Sequence, residues 1–402
     1  MNKEWKEIAI KEFCEFKYGK NLPEQKRIPG EFKVFGSSNI TGYHKDYLVR
    51  GPGIIIGRKG TVGKVQYSKE NFFPIDTTYF VKEDKSQVDL KFLYYRLPLC
   101  GFEQMNSDAA VPGLNRTAAI GQKINLPPLP TQRKIAAILS AYDNLIENNL
   151  KRIKLLEEQA QQTYEEWFVR FKFSGYETAK FDKETGLPEG WEKVRLGDFI
   201  EISSSKRIFL SDYVSEGIPF YRGKEIILKS KNEALNDRLY ISKEKFKEIK
   251  AKYDVPIEGD ILVTAVGTLG YPYLVTKSDG DFYFKDGNLI WLKGNKAISS
   301  TYLISSFKNE HFQTNLRNIA IGSSQKALTI ESLKAIKHIR PSISVQEKYD
   351  EIVISIYNSI ENLQNQNQLL KEARDILIPR LMSGMIDLDS LEVEESMRIV
   401  AE

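Results

Sequence analysis

The sequence predicts a mixed α/β (α+β) protein in two halves. Each half is a globular unit followed by a long helix, and the two helices pair antiparallel as a coiled coil within a pseudo-twofold internal repeat. Three observations carry this. Within 131–165, Leu139, Ile146, Ile153 and Ala160 recur every seven residues, and Ile135, Tyr142, Asn149 and Leu156 do so at an offset of four, the two rows of a coiled-coil seam. Adding 214 to each position lays 131–160 on 345–374 with ten identities in thirty, among them Asn144, Ile146, Glu147 and Asn148 against Asn358, Ile360, Glu361 and Asn362. Helical periodicity would match apolar classes but not that polar run, so the match is a true repeat. The remaining segments are short, rich in β-branched and aromatic residues and punctuated by Gly and Asn, which is strand behaviour.

Residues 1–130 form the first unit. Trp5 to Ile10 opens it as a short alternating strand, and 32–43, 53–67 and 71–82 supply further strands through runs such as Ile54-Ile55-Ile56. The stretch 87–106 reads as helix interrupted at Pro98. The first long helix covers 131–171: Pro127, Pro128 and Pro130 block helix before it, and Thr131 is placed to N-cap it. A Gly-, Pro- and charge-rich linker follows at 172–190. The second unit, 191–343, restarts at Trp191 as the first does at Trp5, and its GTLG at 267–270 echoes GTVG at 60–63. The drifting offset places insertions in loops, where binding specificity usually lives. The second helix, 344–380, carries the seam Val353, Ile356, Ile360, Leu363, Asn367 and Leu370, and is expected to stop near Pro379, about one turn shorter than the first. An acidic tail occupies 381–402. Asn149 and Asn367 are polar seam members that either fix register or face solvent at a frayed end.

Composition excludes several classes. With 41% hydrophobic and 28% charged residues over 402, the chain is an ordinary globular protein with room for two or three domains. No apolar run approaches the roughly 18–20 residues of a membrane span, and the charged start MNKEWKEIAIKEF is not a signal peptide. Two cysteines, Cys14 and Cys100, argue against a disulfide scaffold and fit a reducing cytoplasm. A net charge of +4 permits a nucleic-acid partner without demanding one.

Catalytic signatures are missing. Gly57 to Val65 has a superficial P-loop look, but Val65 stands where Ser or Thr must hold Mg²⁺, and the repeat partner GTLGYP lacks the lysine. Gly51-Pro52-Gly53 is not followed by a helix, so it is no dinucleotide or S-adenosylmethionine loop. His44, His311 and His338 show no metal-ligand spacing with Cys14 and Cys100. Asp260 and Asp286 read as turn caps. The chain is therefore expected to carry no catalytic residue, no metal and no cofactor of its own.

Four segments carry a family likeness: INLPPLPTQRKIAAILSAYDNLIENN (124–149), GLPEGWEKVRLGDF (186–199), GRKGTVGKV (57–65) and LIPRLMSGMID (377–387). Through them the chain resembles the specificity subunit of type I restriction–modification systems over essentially its whole length. The second copy departs from the PLPxQ pattern at Ser342 but keeps Gln346. The resemblance implies that each unit is a target-recognition domain reading one half of a bipartite, asymmetric double-stranded DNA sequence. It implies helices that set the spacer and dock two DNA adenine methyltransferase subunits, with restriction/translocase subunits completing the complex. S-adenosylmethionine, ATP and Mg would then belong to those partners, and no membrane is involved.

Contacts to DNA divide into phosphate positioning and base reading. In the first unit the candidates are Arg58, Lys59, Thr61 and Lys64 on the Gly-rich loop, Ser37, Ser38, Asn39 and Tyr43, and Asn115 with Arg116. In the second they are Lys206, Arg207, Tyr221, Arg222, Lys224, Thr264, Thr268, Ser323, Ser324, Gln325 and Lys326. Arg suits guanine and Asn or Gln suits adenine, whereas Lys and loop amides suit phosphate. The rival readings are a standalone nuclease or methyltransferase, which lacks its signature, and a non-catalytic coiled-coil scaffold that binds proteins.

Overall fold

A computed structural model describes residues 5–105, 113–231, 237–295, 297–322 and 326–386, with 233, 235 and 388. The chain divides into two compact units, Met1–Asn148 with Asn367–Glu402, and Asn149–Gln366, so that each unit joins a globular part to one half of each long helix.

In the first unit the strands are β1 (Lys6–Ala9), β2 (Cys14–Tyr18), β3 (Phe32–Phe35), β4 (Ile40–His44), β5 (Gly53–Gly57), β6 (Val65–Ser68), β7 (Phe72–Pro74), β8 (Thr78–Glu83) and β9 (Lys123–Leu126). The helices are α1 (Leu90–Arg96), α2 (Arg116–Gly121) and α3 (Leu129–Tyr164). One sheet has the order β2-β8-β5-β6, a second β4-β3-β7, and β1 pairs with β9. β5 lies between them because its side chains alternate: Ile54 and Ile56 join Phe16, Tyr79 and Phe92 in the main core, while Ile55 meets Phe35 and Phe72 on the other face.

The second unit holds β10 (Glu192–Arg195), β11 (Glu201–Ser203), β12 (Tyr213–Val214), β13 (Ile218–Tyr221), β14 (Leu239–Ile241), β15 (Ile261–Thr264), β16 (Pro272–Leu274), β17 (Tyr283–Phe284), β18 (Leu289–Lys293) and β19 (Lys337–Arg340). Its helices are α4 (Gly223–Ser230), α5 (Lys243–Lys252), α6 (Ser300–Lys308), α7 (Glu310–Ile319), α8 (Ile330–Ala335) and α9 (Ile343–Met382). The plan is that of the first unit. β11-β18-β15-β16 repeats the main sheet, β14-β13-β17 repeats the smaller one down to its single parallel pairing, and β10 with β19 repeats β1 with β9. The additions β12, α4, α5 and α7 lie in the stretches where the repeat offset drifts. The mixed, twice-repeated architecture is the one the sequence predicts.

Each long helix is fastened to its globular part by one buried glutamine. The Gln132 amide donates to the carbonyls of Gln87 at 3.0 Å and Pro127 at 2.9 Å, and accepts from the Asp89 N–H at 2.9 Å. Asp89 in turn caps α1. Gln346 repeats this, donating to the Pro341 carbonyl at 2.8 Å and accepting at 2.7 Å from the N–H of Ser299, the cap of α6.

Two helix boundaries differ from the sequence-based expectation. α3 starts at Leu129, ahead of Thr131. Pro130 falls in the first turn, where its missing N–H has no partner to lose, and the Gln132 N–H returns to the Pro128 carbonyl at 3.0 Å. α3 then passes into a π-helical turn, Glu165–Val169. α9 runs for 40 residues through Pro379 and does not stop there, so it is no turn shorter than the first helix. Pro379 and Asp375, whose carbonyl it leaves without its helical bond, are both exposed, so the missing bond falls on the solvent side of the last turn, where a proline is tolerated.

The helix halves run antiparallel within each unit. In the first, Ile135 and Leu139 share a core with Leu381 and Met382, and further along Arg374 donates to Asp143 at 2.7 Å. In the second, Asn149 donates to Gln366 at 3.5 Å, and the rings of Trp167 and Tyr349 lie 5.8 Å apart. Leu139 and Ile146 are buried in the first unit; Ile153, Val353, Ile356, Ile360 and Leu363 are buried in the second. Tyr142, Leu156 and Leu370 are half-buried. Asn149 and Asn367 are buried as well, so neither sits at a solvent-facing end of the seam.

His338 is the one histidine of the second core. It lies between the rings of Tyr302 and Phe312, with its Nε2 3.3 Å from the Ser306 hydroxyl, and burial lowers its imidazole from 6.5 to about 4. A native pKa below the unfolded one means that the unfolded chain takes up the proton first. Stability is therefore unaffected above pH 6.5 and falls as pH drops from there towards 4. His338→Gln is expected to abolish this component, so that denaturant titrations at pH 7 and pH 5 show about 2 kcal/mol less acid destabilisation in the variant than in the wild type.

Candidate nucleic-acid interface

In both units β5 and its counterpart β15 end in the same glycine turn. After β5 the Gly57 N–H bonds the Lys64 carbonyl at 2.9 Å and the Gly63 N–H bonds the Gly57 carbonyl at 2.8 Å. After β15 the Thr264 N–H bonds the Tyr271 carbonyl at 3.0 Å and the Gly270 N–H bonds the Thr264 carbonyl at 2.8 Å. Gly60 and Gly63 have φ of +80° and +78°, and Gly267 and Gly270 have +73° and +72°, values that favour glycine. A Cβ on Gly63 would lie 2.6 Å from the backbone nitrogen of Glu103, so close approach also requires glycine there. A second loop is laid on each turn by one backbone bond: Leu114 N–H to the Arg58 carbonyl, and Leu328 N–H to the Ala265 carbonyl, both at 2.9 Å. These are strand-connecting turns that carry side chains outward at one tip of each unit.

On the first tip, Lys59, Thr61 and Lys64 are exposed and Arg58 is half-buried. Arg58 donates through Nε and Nη2 to the Asp76 carbonyl at 3.2 and 2.9 Å. Asn115 caps α2 by accepting from the Ala118 N–H at 3.0 Å, and Arg116 begins that helix. Asn39 and Tyr43 are exposed and Ser38 is half-buried. Ser37 is buried, and its hydroxyl donates to the Thr77 carbonyl at 2.8 Å, so it shapes the loop and is not available to DNA.

In the second unit Lys206, Arg207, Lys224, Thr268 and Lys326 are exposed. Lys206 lies over the Tyr253 ring at 4.6 Å, and Arg207 pairs with Asp286 at 2.9 Å. Arg222 is tied to the buried Glu225 at 2.6 Å, which also bonds its backbone N–H. Two candidates are corrected by burial. Thr264 is fully buried, with its hydroxyl donated to the Thr268 carbonyl and accepting from the Tyr271 N–H, so it closes the turn. Tyr221 is buried against Phe282 and Trp291 as part of a core. Ser323, Ser324 and Gln325 lie outside the described residues.

The carboxylates set aside in the sequence are occupied structurally. Asp260 accepts from Trp291 Nε1 and from the N–H groups of Gly294 and Ile257, all at 2.8–2.9 Å, although burial still holds its carboxyl above the usual range. Among the described residues no group of three or more His, Cys, Asp or Glu side chains is placed to hold a metal ion, and no helix is long and apolar enough to cross a membrane.

Two features escaped the sequence. Tyr18, at the end of β2, stands between Arg58 and Arg116 on the first tip; only the β2–β8 register, which sets it opposite Tyr79, brings it there. Asp143 gathers Tyr95, Lys91 and Arg374 where the first globular part meets the helices. That cluster draws on segments distant in sequence, so no local motif announces it.

Comparison with known proteins accords with this geometry. S.HindORF215P of Haemophilus influenzae is 27% identical over 351 residues, covering 84% of this chain and 82% of its own. The type I restriction enzyme MjaVIII specificity subunit of Methanocaldococcus jannaschii is 24% identical, covering 84% and 77%. The crystal structure of the type I restriction-modification system S subunit from M. genitalium shares the fold with a TM-score of 0.59 at 18% identity, over 95% of this chain and 97% of that one. The model of the type I restriction modification DNA specificity domain matches residues 2–158 and 188–372, and the chain belongs to that family.

Proposed function

We propose that this chain is the non-catalytic, DNA-reading subunit of a type I restriction–modification complex, with each unit reading one half of a bipartite, asymmetric duplex target. The observation that carries the proposal is the pair of tips. One glycine turn, closed by the same backbone hydrogen bonds, bears Arg58, Lys59 and Lys64 in the first unit, and in the second it has a buried Ala265 followed by Val266 and Tyr271 at the matching positions. A constant turn with exchanged side chains is what two readers of unlike sequences require. Lys59 and Lys64 take phosphate, and Thr61, Asn39, Tyr43, Asn115 and Arg116 complete the candidate set of the first unit. In the second unit Lys206, Arg207, Arg222, Lys224, Thr268 and Lys326, together with Ser324 and Gln325, form the corresponding set. A map of modified adenines in cells with and without the gene tests this; loss of one two-part motif is the expected result, and an unchanged map together with salt-independent DNA binding would sink it.

The long helices serve as spacer and as dock for two adenine methyltransferase subunits. Those subunits and the restriction/translocase subunits bring S-adenosylmethionine, ATP and Mg, in a prokaryotic cytoplasm. Support comes from residues that packing does not need. Asn144, Asn148, Leu155 and Glu158 are exposed on the first helix, and the repeat retains all four as Asn358, Asn362, Leu369 and Glu372, again exposed. A surface kept twice suits one partner bound twice.

Three outcomes are expected. Exchanging residues 191–343 for the same segment of a relative changes one half-site of the methylation motif, and altered bases in both halves would contradict one reader per half. Inserting about four residues near Glu158, roughly one helical turn, lengthens the gap in the motif; new half-site bases would count against a spacer role. Leu155 and Leu369 are 63% and 65% exposed, so Leu155→Glu or Leu369→Glu leaves stability within about 0.5 kcal/mol. Each variant should nevertheless lose one methyltransferase copy from the purified complex, as weighed by sedimentation; retention of both copies in the double variant would remove the dock.

A further inference from the structure

The first tip holds two guanidinium groups and one exposed ring that its counterpart lacks. Tyr18 is 50% exposed. Its ring stands edge-on to the buried Tyr79 with centroids 5.0 Å apart, and Tyr79 is anchored by its hydroxyl to the Leu114 carbonyl at 2.9 Å. The Arg58 and Arg116 guanidinium carbons lie 5.2 and 5.3 Å from the Tyr18 ring centre, so two cations share one ring. Arg58 is held by the Asp76 carbonyl. The Arg116 fork has no hydrogen-bond or ion-pair partner among the described residues, and the Tyr18 ring is the group that holds it. At the repeat-related positions the second unit carries Ser204, Ala265 and Ile330.

Two like charges gathered on one ring, one of them with no carboxylate and no carbonyl among the described residues, form a site short of an acceptor. The ring positions the Arg116 fork, and a positioned planar fork is suited to a fixed pair of acceptors. Guanine presents such a pair, O6 and N7, in the major groove, and a planar fork meets both at once. A phosphate also offers two oxygens to such a fork, but the exposed Lys59 and Lys64 already supply charge for phosphate on this tip, which leaves the fork for a base edge. We propose that Arg116 reads a guanine in the half-site of the first unit and that Tyr18 is its positioning residue. This rests on the chain being a DNA specificity subunit, as proposed above.

The test is adenine-methylation mapping in cells carrying the chain with its partner subunits, using Arg116→Lys, Arg116→Ala, Tyr18→Ala and Lys59→Ala. The half-site to inspect is the one that stays fixed when residues 191–343 are exchanged. Arg116→Lys and Arg116→Ala are expected to relax one G·C position there, with discrimination falling about tenfold, while the other half-site is kept. Tyr18→Ala relaxes that same position and no other, which a merely structural role would not do. Lys59→Ala lowers modification evenly without changing the motif. If Arg116→Lys keeps the full motif, the contact is to phosphate and the inference is overturned; a half-site without guanine overturns it too. A wild-type chain that directs no motif and binds DNA without salt dependence would mean that the specificity-subunit reading itself has failed, and the inference with it.

Discussion

The structure depends on two buried amides. Gln132 and Gln346 each join the first turn of a long helix to the loop before it and to the cap of a short helix in the globular part. A glutamine amide offers donors and an acceptor from one rigid plane, so one side chain satisfies several backbone groups that burial would otherwise leave unpaired. No apolar residue of that size does so. The long helix thereby leaves its globular part in a fixed direction, and both copies solve the problem identically. This explains why Gln346 persists although the proline pattern around it is lost: Ser342 stands where the first copy has Pro128, and the helix starts all the same.

Beyond those amides the repeat preserves positions more strictly than chemistry. Asp143 in the first unit takes the Tyr95 hydroxyl and the Arg374 guanidinium, and burial foremost, then the carboxylate, pushes the Tyr95 phenol up. At the related place in the second unit Tyr357 meets the Ser305 hydroxyl at 3.0 Å. An ionic contact and a neutral one thus fill the same junction between globular part and helix. Desolvation penalises the charged version unless each group is paired, and here the carboxylate has both a cation and a hydroxyl. Two solutions of comparable geometry therefore survive in one chain.

Much of this was legible in the sequence. Heptad spacing and the 214-residue repeat disclosed the helices and the duplication, because a coiled-coil seam and a shared polar run are local signals that tertiary context rarely overrides. The glycine turns were visible as GTVG and GTLG. The helix ends were not, since a proline in a first turn or on a solvent-facing last turn is tolerated and does not break the helix. Burial within the tip was also hidden. Thr264 and Thr268 look alike in sequence, yet one hydroxyl closes the turn and the other residue is exposed. Tyr18 was passed over for the converse reason: an aromatic residue in a strand is ordinarily core, and Tyr18 shares the face of the buried Tyr79 but stands at the end of β2, where it is left half exposed between two arginines.

The two tips show how one fold supports different recognition. The same backbone bonds hold the turn and the loop laid on it in both units, and in the second the buried Thr264 hydroxyl adds to them. The side chains at 59 and 64 are exposed and therefore free to differ from those at 266 and 271, whereas Gly57, Thr264 and Ala265, at the root of each turn, are buried. A cluster such as Arg58, Tyr18 and Arg116 can be assembled on this frame without disturbing the sheet beneath, since its members meet through ring faces and a carbonyl at the surface. The division of labour follows from the hydrogen bonding: what closes the turn must stay, and what projects from it can diverge until each tip suits its own partner.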